Sequence, residues 1–259
     1  MLYYFLLSAL PPLSLQTEPE MTFLELKDFL SLNLNTADWK KFQVLLRPID
    51  LYNIRALWLG QPLDERGVLN EKELEEALLV RDFLPAYFID FLDRYETTEE
   101  RLNAFPSLYA MLFRETDAPL KGFLHRYHVF ERERMLILTA LRAKLTGKDL
   151  VRELQFEDPN DPFIAYLLSQ KDAAEFTAPK EYEDLKVIFV KNVHNPEELN
   201  RAILEYRLRK IEDMEEEEPP FSIGRVLGYA ARFLIVENWF RLDWEKGKLE
   251  VEKLRKYEG

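Results

Sequence analysis

His125 and His128 stand three residues apart, and Glu131 follows three residues later. On a helix that spacing places all three on one face. Two imidazoles and a carboxylate are the donors of a transition-metal site. A second helix carrying Asp90 and Asp93, in FIDFLDRYE, has the carboxylates to complete one. A helical metal-dependent enzyme using Asp90, Asp93, His125 and His128 is therefore one reading of the chain. The paired Glu-x-x-His motifs of di-iron bundles and the His-Glu-x-x-His zinc motif are both missing, however. Acid pairs at helical spacing are also expected on any solvated face of a chain with 47 Asp and Glu. No Gly-rich phosphate loop occurs, which argues against direct ATP hydrolysis, and no Gly-x-Ser-x-Gly elbow occurs either. The absence of Cys removes thiol catalysis, disulfides and thiolate metal ligands, and fits a reducing compartment. Nothing in the residues requires an enzyme or calls for a cofactor.

The elements that would position these residues read as helices. The 259 residues can bury a sizeable core, and 47% apolar with 13% aromatic residues is the composition of a globular chain. Eight Gly against 14 Pro, with few β-branched runs, favours helix over strand. A net charge of −12 argues against a nucleic-acid or anionic-membrane binder, since phosphates need a Lys/Arg excess. It leaves room for basic protein partners. The opening MLYYFLLSALPPLSL is apolar from Leu2 to Leu10, too short to span a bilayer. It lacks the positive charge that precedes a secretory core, the first basic residue being Lys27. It is expected to be a buried first element, with Tyr3, Phe5 and Leu6 packed inside and Pro11-Pro12 stopping it.

Along the chain, Thr22 and Glu25 form a capping box, and Asn70 and Glu73 form another. Trp39 to Leu46 reads as a helix stopped by Pro48, and Asp50 to Leu59 as the next. Gly60 to Gly67 is a loop. PAYFIDFLDRYE presents Tyr87, Phe91 and Leu92 on one side, and PSLYAMLFRET follows. The longest pattern runs from about Leu120 to Leu145, with Phe123, Tyr127, Phe130, Leu138 and Leu141 as its stripe and Gly147 as its stop. Asp158 to Pro162 is a turn and the best internal boundary. DLKVIFVKNV has strand-like residues but no partner strand, so a buried helix is expected. A helix starting at Asn195 or Pro196 ends in EDMEEEEPP, expected to be a solvated loop that avoids packing. A final helix is expected from Phe221 to Tyr257, with Phe233, Trp239, Phe240 and Trp244 clustered on it. The expectation is a single all-α domain, 1–259, with sub-repeats over about 1–84, 85–158 and 159–259.

Three helix ends are alike: DLYNIRALWLGQPL from Asp50, ERMLILTALRAKLTGK from Glu133 and ENWFRLDWEKGKLEV from Glu237. Each opens with an acid. Asn53, Leu136 and Phe240 stand three later, and Gly60, Ala143 and Gly247 ten later. Gln61, Lys144 and Lys248 come next. Small residues suit a C-cap, and a lysine there complements the helix dipole. Asp50 and Asn53 are expected to anchor a helix start or neighbouring turn, with Ile54, Leu57 and Trp58 filling a wedge between repeats.

RPIDLYNIRALWLG resembles the acidic-x-x-Asn-Ile-x-x-Leu signature of the C-type subunit family of V-type/A-type ATPases, the relatives of the eukaryotic d-type subunit. ERMLILTALRAKLTGKDL resembles the Leu-Arg-x-Lys ending of the same element in another copy, and FLIVENWFRLDWEKGK its C-terminal acidic, Arg-containing helix ending Gly-Lys. The opening LYYFLLSALPPLSL is similar to a bacterial branch that accompanies V-type ATPase components. The resemblance implies a funnel of helices with pseudo-threefold repetition, sitting on the membrane rotor ring and receiving the central shaft. The function implied is non-catalytic coupling, cytoplasmic and peripheral to the inner membrane, with shaft subunits and rotor ring as partners and no nucleic acid. Asp50, Asn53, Lys144, Glu237 and Lys248 would be its structural or contact positions. The chain departs from the family in being shorter, in carrying Gly60-Gln61 where an Arg-x-Lys-like end belongs, and in having Glu245 where the second copy has Leu141.

Overall fold

A computed structural model describes residues 2–81, 84–117 and 120–241. Among these the fold is all-α, with no strand beyond an isolated Ser14–Thr17 bridge. The helices are α1 (Tyr4–Ala9), α2 (Phe23–Asn33), α3 (Thr36–Trp58), α4 (Glu71–Val80), α5 (Ala86–Arg94), α6 (Thr98–Asn103), α7 (Pro106–Asp117), α8 (Phe123–Thr146), α9 (Leu150–Glu153), α10 (Pro162–Ser169), α11 (Glu183–Asn192), α12 (Pro196–Glu216) and α13 (Ile223–Arg241). None of the described helices is long and apolar enough to cross a membrane. The chain divides into two compact units, Met1–Trp39 with Leu208–Gly259, and Lys40–Arg207. The divisions fall inside α3 and α12, and the 158–162 turn lies within the second unit.

In the first unit, α2 packs on α13, and the Phe23 and Phe233 rings lie 6.0 Å apart. Both capping boxes form as the sequence predicts, Thr22 with Glu25 on α2 and Asn70 with Glu73 on α4. Tyr3 is buried and donates its hydroxyl to Asp38 at 2.6 Å, beside Asn35. Burial and the Asp38 carboxylate push that phenol up to about 12. The Tyr3 amide donates to the carbonyl of Phe221, which holds a left-handed φ of 59° with its ring against Tyr4. Leu6 is buried as expected, but Phe5 is 71% exposed. A helix of six residues has too few turns to turn every apolar side chain inward, and Phe5 falls on its outer side.

In the second unit, Leu51 and Ile54 of α3, Leu74 of α4, Phe88, Phe91 and Leu92 of α5, and Leu108 and Leu112 of α7 make one apolar cluster. Trp58 lies against it, stacked on Phe91 at 6.2 Å and edge-on to Phe105 at 6.3 Å. Helix α8 packs against α7, α9, α10 and α11. DLKVIFVKNV is helical, as α11, and buries Leu185 and Phe189.

Two expectations are corrected. Pro48 does not stop a helix, because α3 runs straight through it from Thr36 to Trp58. A proline removes its own backbone N–H and crowds the carbonyl four residues earlier, a cost of about 3 kcal/mol that packing can offset. Burial of Leu45 and Leu46 before it, and Leu51 and Ile54 after it, keeps both halves on one apolar face. The acidic run EDMEEEEPP is not a loop that avoids packing, because α12 continues to Glu216 and Glu215 is buried. Arg232 grips that carboxylate through Nε and Nη2. Gly228 of α13 leaves the space the Glu215 stem occupies, and a Cβ there would fall inside it. Burial first, with Glu212 nearby, raises the Glu215 pKa against the opposing pull of Arg232. Gly228→Ala is expected to cost about 1–3 kcal/mol in a urea melt, through displacement of Glu215 from Arg232.

Candidate functional site

The first helix end is held to the loop that follows it by side chains acting as backbone. Asn53 of α3 is 1% exposed, and its amide meets a single residue. Its Oδ1 accepts from the Asp64 amide at 2.7 Å, and its Nδ2 donates to the Asp64 carbonyl at 2.8 Å. One helical turn away, Asp50 Oδ1 accepts from the amides of Val68 at 2.8 Å and Leu69 at 3.2 Å, just before α4. Asp64 in turn holds Arg66, which donates Nε at 2.8 Å and is itself buried. Gly67 is the residue that lets the loop come this close. A Cβ on it would lie 2.6 Å from Asp50 Oδ1 and 2.9 Å from Asn53 Nδ2. The helix stops at Gly60, whose φ is 63°, in a Schellman arrangement where the Gln61 amide reaches the Ala56 carbonyl at 2.9 Å.

The second end stops in the same way. Gly147 has φ 66°, and the Lys148 amide reaches the Ala143 carbonyl at 2.9 Å. In geometry, then, Gly147 corresponds to Gly60 and Ala143 to Ala56. The stop follows its opening acid by one more turn than in the first end. Glu133 accepts the hydroxyl of Tyr182 at 2.6 Å, and Tyr182 is the N-cap residue of α11. Lys144 donates its ammonium to the carbonyls of Lys171 at 2.6 Å and Ala173 at 2.7 Å, closing the turn after α10. Arg132, one residue before Glu133, pairs with Glu157 at 2.8 Å and Asp161 at 2.9 Å, and so holds the 158–162 turn in place.

At the third end, Glu237 Oε1 accepts from the Phe23 amide at 2.6 Å, at the first position of α2. That amide is one of the orphan donors of a helix start, where a carboxylate also meets the positive end of the dipole. Lys248, Gly247, Glu245 and Trp244 lie outside the described residues. All three opening acids do the same kind of work: Asp50, Glu133 and Glu237 each hold a residue at or just before the start of another helix. Asp64, Arg66, Gly67 and Tyr182 are the partners that sequence reasoning missed. Their only sequence signal is the turn composition of GQPLDERG and of the stretch before α11.

The candidate metal residues are dispersed. His125 is exposed and His128 is 2% exposed, so a helix face that looks continuous in sequence is divided by packing. Asp93 pairs with Arg81 at 2.6 Å, and Asp90 faces solvent. Among the described residues no group of three His, Asp or Glu is placed to hold an ion. Glu131 instead accepts both prongs of Arg207, at 2.9 and 3.1 Å, and Arg134 at 2.6 Å. Burial opposes its charge, but the two guanidinium groups outweigh burial and hold the carboxyl at about 2. His128 lies edge-on to Phe113 at 5.8 Å, and burial with Arg47 nearby pulls it down to about 4.

A family model described as a protein of unknown function, DUF2764, matches residues 1–256. The chain belongs to the DUF2764 family. It is 30% identical to an uncharacterized protein of Chlamydia muridarum (strain MoPn / Nigg), over 98% of this chain and 97% of the relative. It is 31% identical to one of Chlamydia trachomatis serovar D, with the same shares covered, and 29% identical to one of Chlamydia pneumoniae. No solved structure matches significantly.

Two outcomes follow for this DUF2764 protein. Asn53→Ala strands both the amide and the carbonyl of Asp64, and is expected to cost about 2–4 kcal/mol in denaturant unfolding. Asn53→Asp is expected to be similarly damaging, because a carboxylate cannot donate to the Asp64 carbonyl. The second outcome concerns pH. His128 has a folded pKa below its unfolded value of about 6.5, so the unfolded chain binds its proton first and stability falls as pH falls. Between pH 6.5 and 5 the loss is expected to be about 1.5 kcal/mol. His128→Leu should flatten that window in urea melts taken across pH. The Glu131 contribution, present above about pH 4.5, is lost only nearer pH 2.

Proposed function

We propose that this chain is a non-catalytic coupling subunit of a V-type ATPase, linking the central shaft to the membrane rotor ring. The observation that carries the reading is the shared work of Asp50, Glu133 and Glu237. The segments that resemble the C-type subunit family are the ones in which an opening acid holds the start of another helix. That supports a funnel of pseudo-threefold helical repeats, and three such ties stiffen the body against twisting.

A torque-transmitting part needs this. Load applied to one helix has to pass to its neighbour without sliding, and a hydrogen bond to a fixed backbone amide, as at Asp50 and Glu237, or to the Tyr182 phenol, as at Glu133, resists sliding better than apolar contact, which is non-directional. Lys144 and Glu237 are structural positions in this reading, and Lys248 a contact position. The net charge of −12 suits a basic shaft end and would speed its docking. The protein would work at the cytoplasmic face, held at the inner membrane by its partners.

Affinity purification of the tagged full chain from its native membranes in mild detergent, with mass spectrometry of what comes with it, is expected to recover ATPase shaft and ring subunits. An Asp50→Ala, Glu237→Ala double variant is expected to fold less stably and to lose that recovery in proportion. Well-folded wild-type protein recovered alone would overturn the reading.

A further inference from the structure

Between Asp38 and Asp64 the chain carries four cations, Lys40, Lys41, Arg47 and Arg55, and a single acid, Asp50, although Asp and Glu outnumber Lys and Arg in the whole protein by 47 to 35. All five lie on α3. Asp50 gives its carboxylate to the amides of Val68 and Leu69, so it is not spent on Arg47, three residues before it. Three and four residues from Arg55 stand only Leu51, Tyr52, Trp58 and Leu59. Exposed cations elsewhere find acids, Arg201 at Glu205 and Arg81 at Asp93. Arg47 and Arg55 are exposed and form no ion pair or hydrogen bond among the described residues.

Helical spacing sets these cations along an apolar strip. Lys41, Val44, Pro48, Tyr52, Arg55 and Leu59 follow one another at steps of three or four residues, which makes one continuous line along the helix and just past its end. None of them is buried: Val44 and Pro48 are half-buried, Tyr52 is 47% exposed and Leu59 39%. Arg47 flanks the line, three residues from Val44. Tyr109 of α7 borders it, donating its hydroxyl to the Pro48 carbonyl at 3.5 Å and lying near Tyr52 and Arg55. Neither Tyr109 beside Arg55 nor the neutral His128 beside Arg47 supplies a negative charge. Tyrosine and arginine together are what protein interfaces favour, whereas Lys and Glu dominate a plain solvated face.

We propose that this outer face of α3 docks an acidic polypeptide segment of a partner protein, whose apolar side chains cover Pro48 and Tyr52 and whose carboxylates meet Arg47 and Arg55. The two arginines are eight residues apart. That is about 12 Å along the axis, a span that two turns of a partner helix cover. A guanidinium grips a carboxylate through two parallel bonds, which gives each contact direction as well as charge. The acidic surface elsewhere repels such a segment, so this face sets where it lands. It lies away from the side of α3 that buries Asn53, and the proposal does not depend on the rotary reading.

The probe is a fluorescein-labelled peptide repeating Glu-Ala-Leu-Glu over four helical turns, with its Gln-Ala-Leu-Gln counterpart as the uncharged control, titrated by anisotropy with the full chain. At about 0.15 M salt, screening confines the measurement to local charges. The acidic peptide is expected to bind and the control to bind much more weakly. Arg47→Glu with Arg55→Glu is expected to weaken binding about tenfold or more. Arg47→Gln with Arg55→Gln serves if the reversed pair does not fold. Tyr52→Ser is expected to weaken it about threefold with the salt dependence unchanged. Lys171→Glu with Lys191→Glu, exposed cations elsewhere that change the net charge equally, is expected to leave it unchanged. No binding by wild type, or an equal loss in the Lys171 and Lys191 pair, would overturn the proposal. Two other outcomes would also overturn it if the peptide does not bind. Flotation with phosphatidylglycerol vesicles, lost in the arginine pair, would give the face to a membrane. Self-association in sedimentation, lost in the same pair, would give it to a second copy of the chain.

Discussion

A polar side chain shut away from water inside a helical unit must find a partner, and at the first helix end the partner is the backbone of the following loop. Asn53 meets that demand by copying a peptide group, with one donor and one acceptor matched to the amide and carbonyl of Asp64. The rest of the local structure follows. Asp64 is placed by that pairing, Arg66 is held by Asp64, and Gly67 has to be Gly because the loop then passes within van der Waals contact of both α3 side chains. Asp50 completes the arrangement by taking the two amides before the Asn70 cap of α4, whose own start is closed by its capping box. The path from α3 into α4 is thus defined by directional polar geometry, while Leu63 and Leu69 of the loop pack on the apolar cluster, a contact that alone would tolerate sliding.

The same constraint governs the charges. A chain with a net charge of −12 keeps most of its acids in water, and each of those it buries is met by a donor, Asp38 by the Tyr3 hydroxyl and the Asn35 amide and the other two by arginine. Glu131 is met by Arg134 and Arg207, and Glu215 by Arg232, each with at least one two-pronged grip. Removing one partner of such a pair costs several kcal/mol, because it leaves the other charge buried and bare. Arginine rather than lysine fills these places, since a planar fork satisfies both carboxylate oxygens at once. Glu133 is paired with a phenol instead, and burial raises its pKa.

These pairings give the coupling proposal its physical content. A part that carries torque gains from directional ties between helices, and Asp50, Glu133 and Glu237 each provide one, from α3 to the residues before α4, from α8 to α11 and from α13 to α2. The family relationship to chlamydial proteins spans nearly the full length of each chain, so both compact units fall within it. The Schellman stops at Gly60 and Gly147 show that the first two ends are alike in how they finish, although a turn of helix is inserted between acid and stop in the second.

What the sequence by itself determined is local. The helical class, the capping boxes at Thr22 and Asn70, the glycine stop at Gly147 and the helix over DLKVIFVKNV all depend on residues within a turn or two of each other, where propensity and spacing suffice. The anchoring character of Asp50 and Asn53 was legible from their types, but Asp64, Arg66 and Gly67 as their counterparts were not. Tertiary structure decided the remainder. Pro48 stays inside α3 because buried side chains on both of its flanks outweigh the missing hydrogen bond and the ring's crowding of the preceding turn. Glu215 goes inward because Arg232 and the bare surface of Gly228 await it, the arginine 17 residues on. Glu131 is claimed by an arginine 76 residues away, and Glu237 by an amide 214 residues away. No periodicity encodes such partners, because the free energy of burying a charge depends on what the folded chain brings to it and not on its own neighbours in sequence.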